Sequence, residues 1–249
     1  MATGNDIRPI WALPEPATRK PRYTRDQIAA VALRIADAEG FDAVTMKRIA
    51  AELGAGTMTL YYYVRSKSDI VALMQDAILA GLLVPGEDLH GGWRDATAAI
   101  ARRTRQVLMA HPWSLTSLND AQFGPNAMRH FEQSLGALGG TGLPTTAKFE
   151  LIAVVDDYVS GNALHAVEAL SRARLAEADP AMVAAAVAHG IAQLQTGDFP
   201  QLSALYAEAA SNPAAEPAAP PMTEPALAAQ FERGLQALLD GLAARMNTR

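Results

Sequence analysis

The chain has 249 residues, half of them apolar, which is enough to form a sizeable core in one or two domains. It contains no cysteine, which excludes disulfides, thiolate metal ligands and cysteine nucleophiles. The net charge of −5 argues, as a total, against a nucleic-acid binder. The charge is uneven: residues 1–74 carry 10 Lys and Arg against 8 Asp and Glu, and residues 75–249 carry 11 against 18. Such a distribution fits a protein whose N-terminal part alone approaches a polyanion.

The N-terminal segment, residues 1–20, is rich in proline, lacks an apolar period and has no signal-peptide core. We expect it to be a disordered arm. No apolar run reaches 18 residues anywhere in the chain, so a membrane span is not predicted and the expected compartment is the cytoplasm.

Four helices are predicted in the next part of the chain. Thr24 followed by Gln27 forms a capping box at the start of the first helix, and Gly40 supplies its stop. The second helix starts at Thr45 and runs to Gly54. A third helix, 57–64, is only about two turns long, and a fourth begins near residue 66.

The remaining helices are longer and are predicted over 93–110, 126–138, 145–174, 180–194, 201–210 and 226–246. Residues 211–225 are rich in proline and alanine and predict a flexible surface loop. Segment 226–246 repeats leucine or phenylalanine at three- and four-residue steps, which indicates a bundle or dimer seam at Leu227, Phe231, Leu235, Leu238 and Leu242. No segment alternates as a strand does, so the predicted fold is all-α.

Residues 45–64 have the dimensions of a helix-turn-helix, with a glycine turn between two short helices. Gly54 and Gly56 allow a steep crossing, so that the second helix can enter a DNA major groove about 12 Å wide. Leu60 and Val64 are spaced to anchor that helix inward, which leaves its threonines, Met58 and the tyrosines largely facing outward. The alternative is a small three-helix domain with half-buried tyrosines.

The sequence "AVTMKRIAAELGAGTMTLYYYVRSKSDIVALM" (43–74) closely resembles the N-terminal domain of the TetR family of transcriptional repressors, and the match extends over 24–74. The resemblance implies a helix-turn-helix DNA-binding domain over 21–72 and a ligand-binding and dimerisation domain over 73–249. Two departures are Gly56, where serine often caps the recognition helix, and Val64 in place of phenylalanine. The valine is shared with the branch that includes the tetracycline repressor. The implied DNA-binding residues are Thr24, Thr45, Arg48, Thr57, Met58, Thr59, Tyr61, Tyr63 and Lys67.

Tyr62 has no assigned role at this point, since it can equally pack within the head. The basic residues Arg19, Lys20 and Arg22 can lay the arm into a minor groove, or the arm can be a solubilising tail.

The body, residues 73–249, resembles the tetracycline-repressor-type C-terminal domain at "LMAHPW", "FGPNAM" and "DYVSGNALHAVEA". The resemblance implies a homodimer joined through the later part of 145–174 and through 226–246, an operator DNA duplex as partner, and a small-molecule effector. Of the four positions that match polar drug and magnesium contacts of the tetracycline repressor, Leu83, Ile100 and Leu118 are apolar here and His165 is polar. A rather hydrophobic effector is therefore expected. The predicted pocket residues, each of which could instead be ordinary core, are Ile100, Trp113, Leu118, Phe149, Ile152, Asp156 and His165.

No catalytic or metal site is predicted. The five histidines lack metal-ligand spacing, and no nucleophile, phosphate-loop or dinucleotide motif occurs, so no cofactor is expected. Two alternatives remain open: an all-α enzyme, or a helical partner protein that keeps the head as an interaction domain.

Overall fold

The computed structural model describes residues 8–14, 22–116, 124–211 and 222–247. The described residues contain helices and no strands, which confirms the all-α prediction. The helices are α1 Arg25–Glu39, α2 Met46–Leu53, α3 Thr57–Leu60, α4 Lys67–Ala80, α5 Trp93–Ala110, α6 Pro125–Ala137, α7 Thr145–Ala178, α8 Pro180–Leu194, α9 Pro200–Ser211 and α10 Glu224–Asn247.

The chain divides into two compact units, one of Met1–Ala163 with Leu242–Arg249 and one of Leu164–Gly241. The domain boundary expected after residue 72 falls inside α4, a single uninterrupted helix. Within the described part of the chain, no helix combines the length and the apolarity that a membrane crossing needs.

The first two helices begin and end where the sequence predicts. Thr24 Oγ1 accepts the backbone N–H of Gln27 at 3.1 Å, and the Gln27 side chain accepts the backbone N–H of Thr24 at 3.0 Å, so the capping box is confirmed. Thr45 caps α2 by accepting the N–H of Arg48 at 3.1 Å. Gly54 ends α2 with φ of 63°, a left-handed conformation in which glycine avoids the clash that a Cβ would cause.

The head has one continuous hydrophobic core, built from α1, α2, α3 and α4. Ile28 on α1, Ile49 on α2, Leu60 on α3 and Ile70 on α4 are each 1% exposed or less. The core fixes the orientation of the short α3, since a four-residue helix is not stable in isolation.

Residues 8–14 differ from the disordered arm predicted over 1–20. Ile10 is fully buried in the head core, within a 3-10 helix at Ile10–Ala12. Its segment is held by the buried Arg25, which donates to the carbonyls of Ile10 (3.1 Å), Leu13 (2.8 Å) and Pro14 (3.2 Å) and to that of Tyr63 (3.1 Å). A guanidinium carries several donors in a fixed fork and can satisfy this many carbonyls at once. The apolar pattern of residues 8–14 does not reveal this anchoring.

The junction of α4 and α6 is made by the buried Asp76. Its carboxylate accepts the backbone N–H groups of Asn126 (3.0 Å) and Ala127 (3.1 Å) in the first turn of α6. An acceptor at that place satisfies donors that have no partner inside the helix. Gly124 lies so close to Asp76 and Trp11 that a Cβ on it would collide with both side chains.

In the longer helices the observed bounds lie close to the predicted ones, except that α7 continues to Ala178. The proline-rich segment predicted over 211–225 lies mostly outside the described residues. In α10 the buried row is Leu227, Phe231, Leu235 and Leu239, each 7% exposed or less, whereas Leu238 and Leu242 are only half-buried. Within the chain, α10 therefore buries a row with four-residue spacing, and the predicted dimer seam stays a prediction.

In the second unit, α8 and α9 pack against each other and leave many large apolar side chains exposed. Ile191 is 53% exposed and Tyr206 54% exposed. A groove of about 800 Å³ runs between these two helices, and its walls are almost entirely apolar.

Candidate nucleic-acid interface

The recognition segment consists of the short α3 and a tight turn that follows it. Gly56 precedes α3 without a side-chain cap, and the α-helical hydrogen-bond pattern ends at Leu60. The chain then tightens: the N–H of Tyr62 bonds to the carbonyl of Thr59 at 3.3 Å, and that of Tyr63 bonds to the carbonyl of Leu60 at 2.9 Å. The predicted helix over 57–64 is thus a single helical turn continued by a turn at 61–63.

Exposure separates the side chains of this segment into two sets. Leu60 and Val64 are buried, which confirms their predicted inward anchoring. Met58, Tyr61 and Tyr62 are 74%, 47% and 77% exposed. Large apolar and aromatic side chains that stay this exposed together indicate a contact surface.

Tyr63 does not face outward as predicted. It is 7% exposed, its ring packs edge-on against Tyr23 with 6.4 Å between centroids, and its hydroxyl accepts the backbone N–H of Tyr23 at 3.4 Å. Its position explains this, because residues three and four after Leu60 share the inward face. Tyr62, which the sequence does not place, is the most exposed residue of the segment.

Arg48 is already engaged within the head. Its guanidinium forms ion pairs at 2.7 Å with both Glu39 and Glu52. Hydrogen bonds to these carboxylates raise the pKa of Arg48, and the bond from Arg48 lowers that of Glu52. The neighbouring Lys47 is exposed and forms no ion pair with a described residue, so it is the cation of α2 that is available to a phosphate. The sequence does offer this cation, because both Lys47 and Arg48 follow the capping Thr45.

Lys67 is exposed as the first residue of α4, and its ammonium lies 4.9 Å from the centre of the Phe41 ring. Thr57 and Thr59 on α3 are half-buried beside the exposed Met58. The hydroxyls of Thr24 and Thr45 accept backbone N–H groups as helix caps, which leaves the hydrogen of each hydroxyl available for donation to a phosphate.

Among the predicted pocket residues that the structure describes, three come together. Ile100, Ile152 and Asp156 line one cavity of about 20 Å³ between α5, α6 and α7, which has room for roughly one water molecule. Asp156 makes no hydrogen bond with a described residue. Burial, and secondarily the charge of Asp157, raises the pKa of the Asp156 carboxyl to about 6.

The other predicted pocket residues that the structure describes lie elsewhere. Phe149 is 46% exposed and packs against Phe131, and His165 is exposed in the second unit. Trp113 is buried, but it stacks on Phe41 of the head. Leu118 lies outside the described residues.

Comparisons with known proteins agree with this architecture. Residues 28–74 match the family model described as "Bacterial regulatory proteins, tetR family", and residues 85–246 match the "Tetracyclin repressor-like, C-terminal domain". The chain is 39% identical over 165 residues to the HTH-type transcriptional repressor DrrR1 of Streptomyces coeruleorubidus, a match that covers 64% of this chain and 61% of that protein's length. It is 32% identical over 176 residues to an HTH-type transcriptional regulator of Saccharopolyspora erythraea, covering 68% of this chain and 74% of that one.

Among solved structures, the chain is similar to ActR of Streptomyces coelicolor. The complex of ActR with actinorhodin has a TM-score of 0.67 and 28% sequence identity, and the match covers 90% of this chain and 98% of ActR. The apo form of ActR gives the same TM-score at 27% identity.

Proposed function

The chain belongs to the tetR family of bacterial regulatory proteins, and we propose that it is a ligand-responsive DNA-binding transcriptional regulator. In this proposal it is a repressor that leaves its operator when it binds a small, rather hydrophobic molecule. The observation that carries the proposal is the exposure of Met58, Tyr61 and Tyr62 on a segment whose Leu60 and Val64 are fixed in the core. A rigidly anchored segment with this exposed face has the shape that reads a major groove.

On the DNA side, we assign base contacts to Thr57, Met58 and Thr59, and contacts with bases or phosphates to Tyr61 and Tyr62. Methyl groups of threonine and methionine can touch thymine, and hydroxyls can bond phosphates or base edges. Lys47 and Lys67 supply phosphate contacts at the starts of α2 and α4, in a chain whose net charge is otherwise negative. Tyr62 and Lys47 are thus proposed as additional DNA-facing residues. Tyr63 and Arg48 are proposed to stabilise the head instead of contacting DNA.

The effector site is proposed in the body, around the cavity lined by Ile100, Ile152 and Asp156, which at about 20 Å³ has to widen when an effector larger than water enters. Its lining is apolar apart from Thr97, Ser134 and Asp156, so a hydrophobic effector with one hydrogen-bond donor fits the chemistry. ActR, which is similar along nearly its whole length, has been solved with actinorhodin bound. Release from DNA requires only that the effector bind one arrangement of the heads more tightly than another.

We further propose a homodimer, working in the cytoplasm where its DNA lies. One head reads only a few base pairs, and a two-fold pair reads two half-sites one helical turn apart. The exposed apolar side chains of α8 and α9 support association, since a monomer rarely leaves so much apolar surface uncovered. Binding, with no catalytic step, is the activity proposed.

The test is selection of DNA by the purified protein from a random-sequence library, with the gene's own upstream region as a second source. We expect one enriched, two-fold symmetric sequence, whose affinity falls steeply with salt because phosphate contacts release counterions. A double Tyr61→Ala, Lys67→Ala variant should lose most of this affinity while keeping its helical circular dichroism. Failure to enrich any sequence would overturn the proposal. A protein of monomeric mass at micromolar concentration would overturn the dimer alone.

A further inference from the structure

A column of contacts connects the body to the DNA-facing Lys67. Its base is the segment after α5, where Trp113 is 8% exposed. The indole of Trp113 lies parallel to the Phe41 ring, with an interplanar angle of 5° and 5.5 Å between ring centres. On Phe41, in turn, lies the ammonium of Lys67, 4.9 Å from the ring centre. Phe41 therefore links Trp113 and Lys67 in this series of contacts.

The base of this column is fixed to the head by a carboxylate. Asp37 on α1 accepts the indole N–H of Trp113 at 2.9 Å through Oδ1, and His111 Nδ1 lies 2.9 Å from the same oxygen. Two contacts from the segment after α5 thus converge on one atom of α1. They hold the indole in a single orientation, which a stacked contact alone does not specify.

The top of the column needs such support. Lysine has a long, flexible side chain, and immobilising it costs conformational entropy. A ring that attracts the ammonium restricts that freedom before DNA arrives, so less remains to be lost on binding. Phe41 is only half-buried against the edge of the head core, so part of its ring depends on a neighbour from another segment. The flat face of Trp113 provides that support.

We propose that Trp113 is a positioning residue for DNA binding: through Phe41 it holds Lys67 where it meets a phosphate, and so links the segment after α5 to the DNA-facing surface. The inference rests on the proposed function, and it replaces the predicted role of Trp113 in the effector pocket. An effector that displaces the segment at 111–116 would move the support of Lys67. By reciprocity, DNA bound to Lys67 should in turn oppose that displacement.

The test is a double-mutant cycle, with affinity measured for the duplex that the wild-type protein selects from random-sequence DNA. Loss of a cation–ring contact at an exposed site corresponds to roughly a two- to fivefold change in affinity. We expect Trp113→Leu and Phe41→Leu each to weaken binding by about that factor, and Trp113→Phe, which keeps an aromatic face, to remain closer to wild type. In a Lys67→Ala background, Trp113→Leu should cause no further loss, because the residue it positions is absent. The matched control is Trp93→Leu, at the distant start of α5, which should leave affinity unchanged.

Each outcome bears on the proposal. An equal loss from Trp113→Leu with and without Lys67 would overturn it, as would wild-type affinity for both Trp113→Leu and Phe41→Leu. If Trp113→Leu does not fold, the cycle is run with Phe41→Leu, whose smaller, half-buried side chain is less demanding. Independently, a variant with Trp11 and Trp93 replaced by phenylalanine retains Trp113 as its one tryptophan. The fluorescence emission of Trp113 should change when the selected duplex is added. Unchanged emission would count against a link between Trp113 and the DNA-facing surface. If the wild-type protein selects no duplex, the proposed function fails before the cycle begins.

Discussion

The Asp156 carboxyl allows a quantitative prediction of the free energy of unfolding. Replacing it by asparagine should stabilise the protein at neutral pH, because the folded state then no longer holds a half-buried charge without a hydrogen-bonding partner among the described residues. The pKa of Asp156 is raised from 3.8 to about 6. A difference of about 2 between the pKa values of the folded and unfolded states corresponds to about 3 kcal/mol in the free energy of unfolding. Because the side chain keeps some contact with solvent, the expected effect is about 1–3 kcal/mol.

The sign and the pH window follow from proton linkage. Between pH 4 and pH 6 the folded protein holds the Asp156 proton while the unfolded chain has released it, so wild-type stability falls as pH rises through this range. The advantage of Asp156→Asn should therefore be largest above about pH 7 and mostly gone at about pH 4.

The assay is urea unfolding followed by circular dichroism at several pH values, with Asp157→Asn as control. Asp157 is exposed on the same helix, and removing its charge relieves only the lesser of the two causes of the Asp156 shift. A control as stabilising as Asp156→Asn, or an Asp156→Asn advantage that does not depend on pH, would refute the reasoning.

Three further variants test the packing of the first unit, each by urea unfolding. Gly124→Ala should lower the free energy of unfolding by about 1–3 kcal/mol, because the new Cβ meets two side chains. Its control is Gly136→Ala in α6, which has open space around it and should be neutral or stabilising by up to about 1 kcal/mol. Equal effects of the two changes would contradict the close packing at Gly124. Arg25→Met should lower the free energy of unfolding by about 3 kcal/mol, since four carbonyls lose their hydrogen-bond donor. Its control, Arg22→Met, changes an exposed side chain and should cost far less. Similar losses from both variants would argue against the anchoring of residues 8–14 by Arg25. Thr45→Ala should cost about 1 kcal/mol as a lost cap, and no loss would show that the cap is dispensable.

Much of the head could be predicted because its signals are local. The capping box of Thr24, the stop at Gly40 and the left-handed Gly54 each depend on a few neighbouring residues, and all three are found where the sequence indicated. The inward placement of Leu60 and Val64 follows from four-residue spacing. The same spacing also buries Tyr63, three residues after Leu60, so the three adjacent tyrosines do not share one exposed face.

The remaining differences arise from contacts between residues distant in the sequence. Nothing near Ile10 indicates that Arg25 would bind its segment, since the acceptors are backbone carbonyls and every residue carries one. The pairing of Arg48 with Glu39 depends on how α1 meets α2, whereas its pair with Glu52, four residues along α2, is local. The sequence predicts Trp113 in a pocket, whereas its stacking on Phe41, a residue far away in the sequence, places it against the head.

The measurement that tests the central claim most directly is the ratio of affinities for the selected duplex and for a shuffled duplex of the same composition, at one fixed salt concentration. A sequence-reading regulator should prefer its selected site by about 10³-fold or more. Tyr62→Ala should reduce this preference, and Tyr63→Phe, which keeps the buried ring, should largely retain it. A wild-type ratio near one would contradict the account, because the exposed face of the recognition segment would then carry no sequence information.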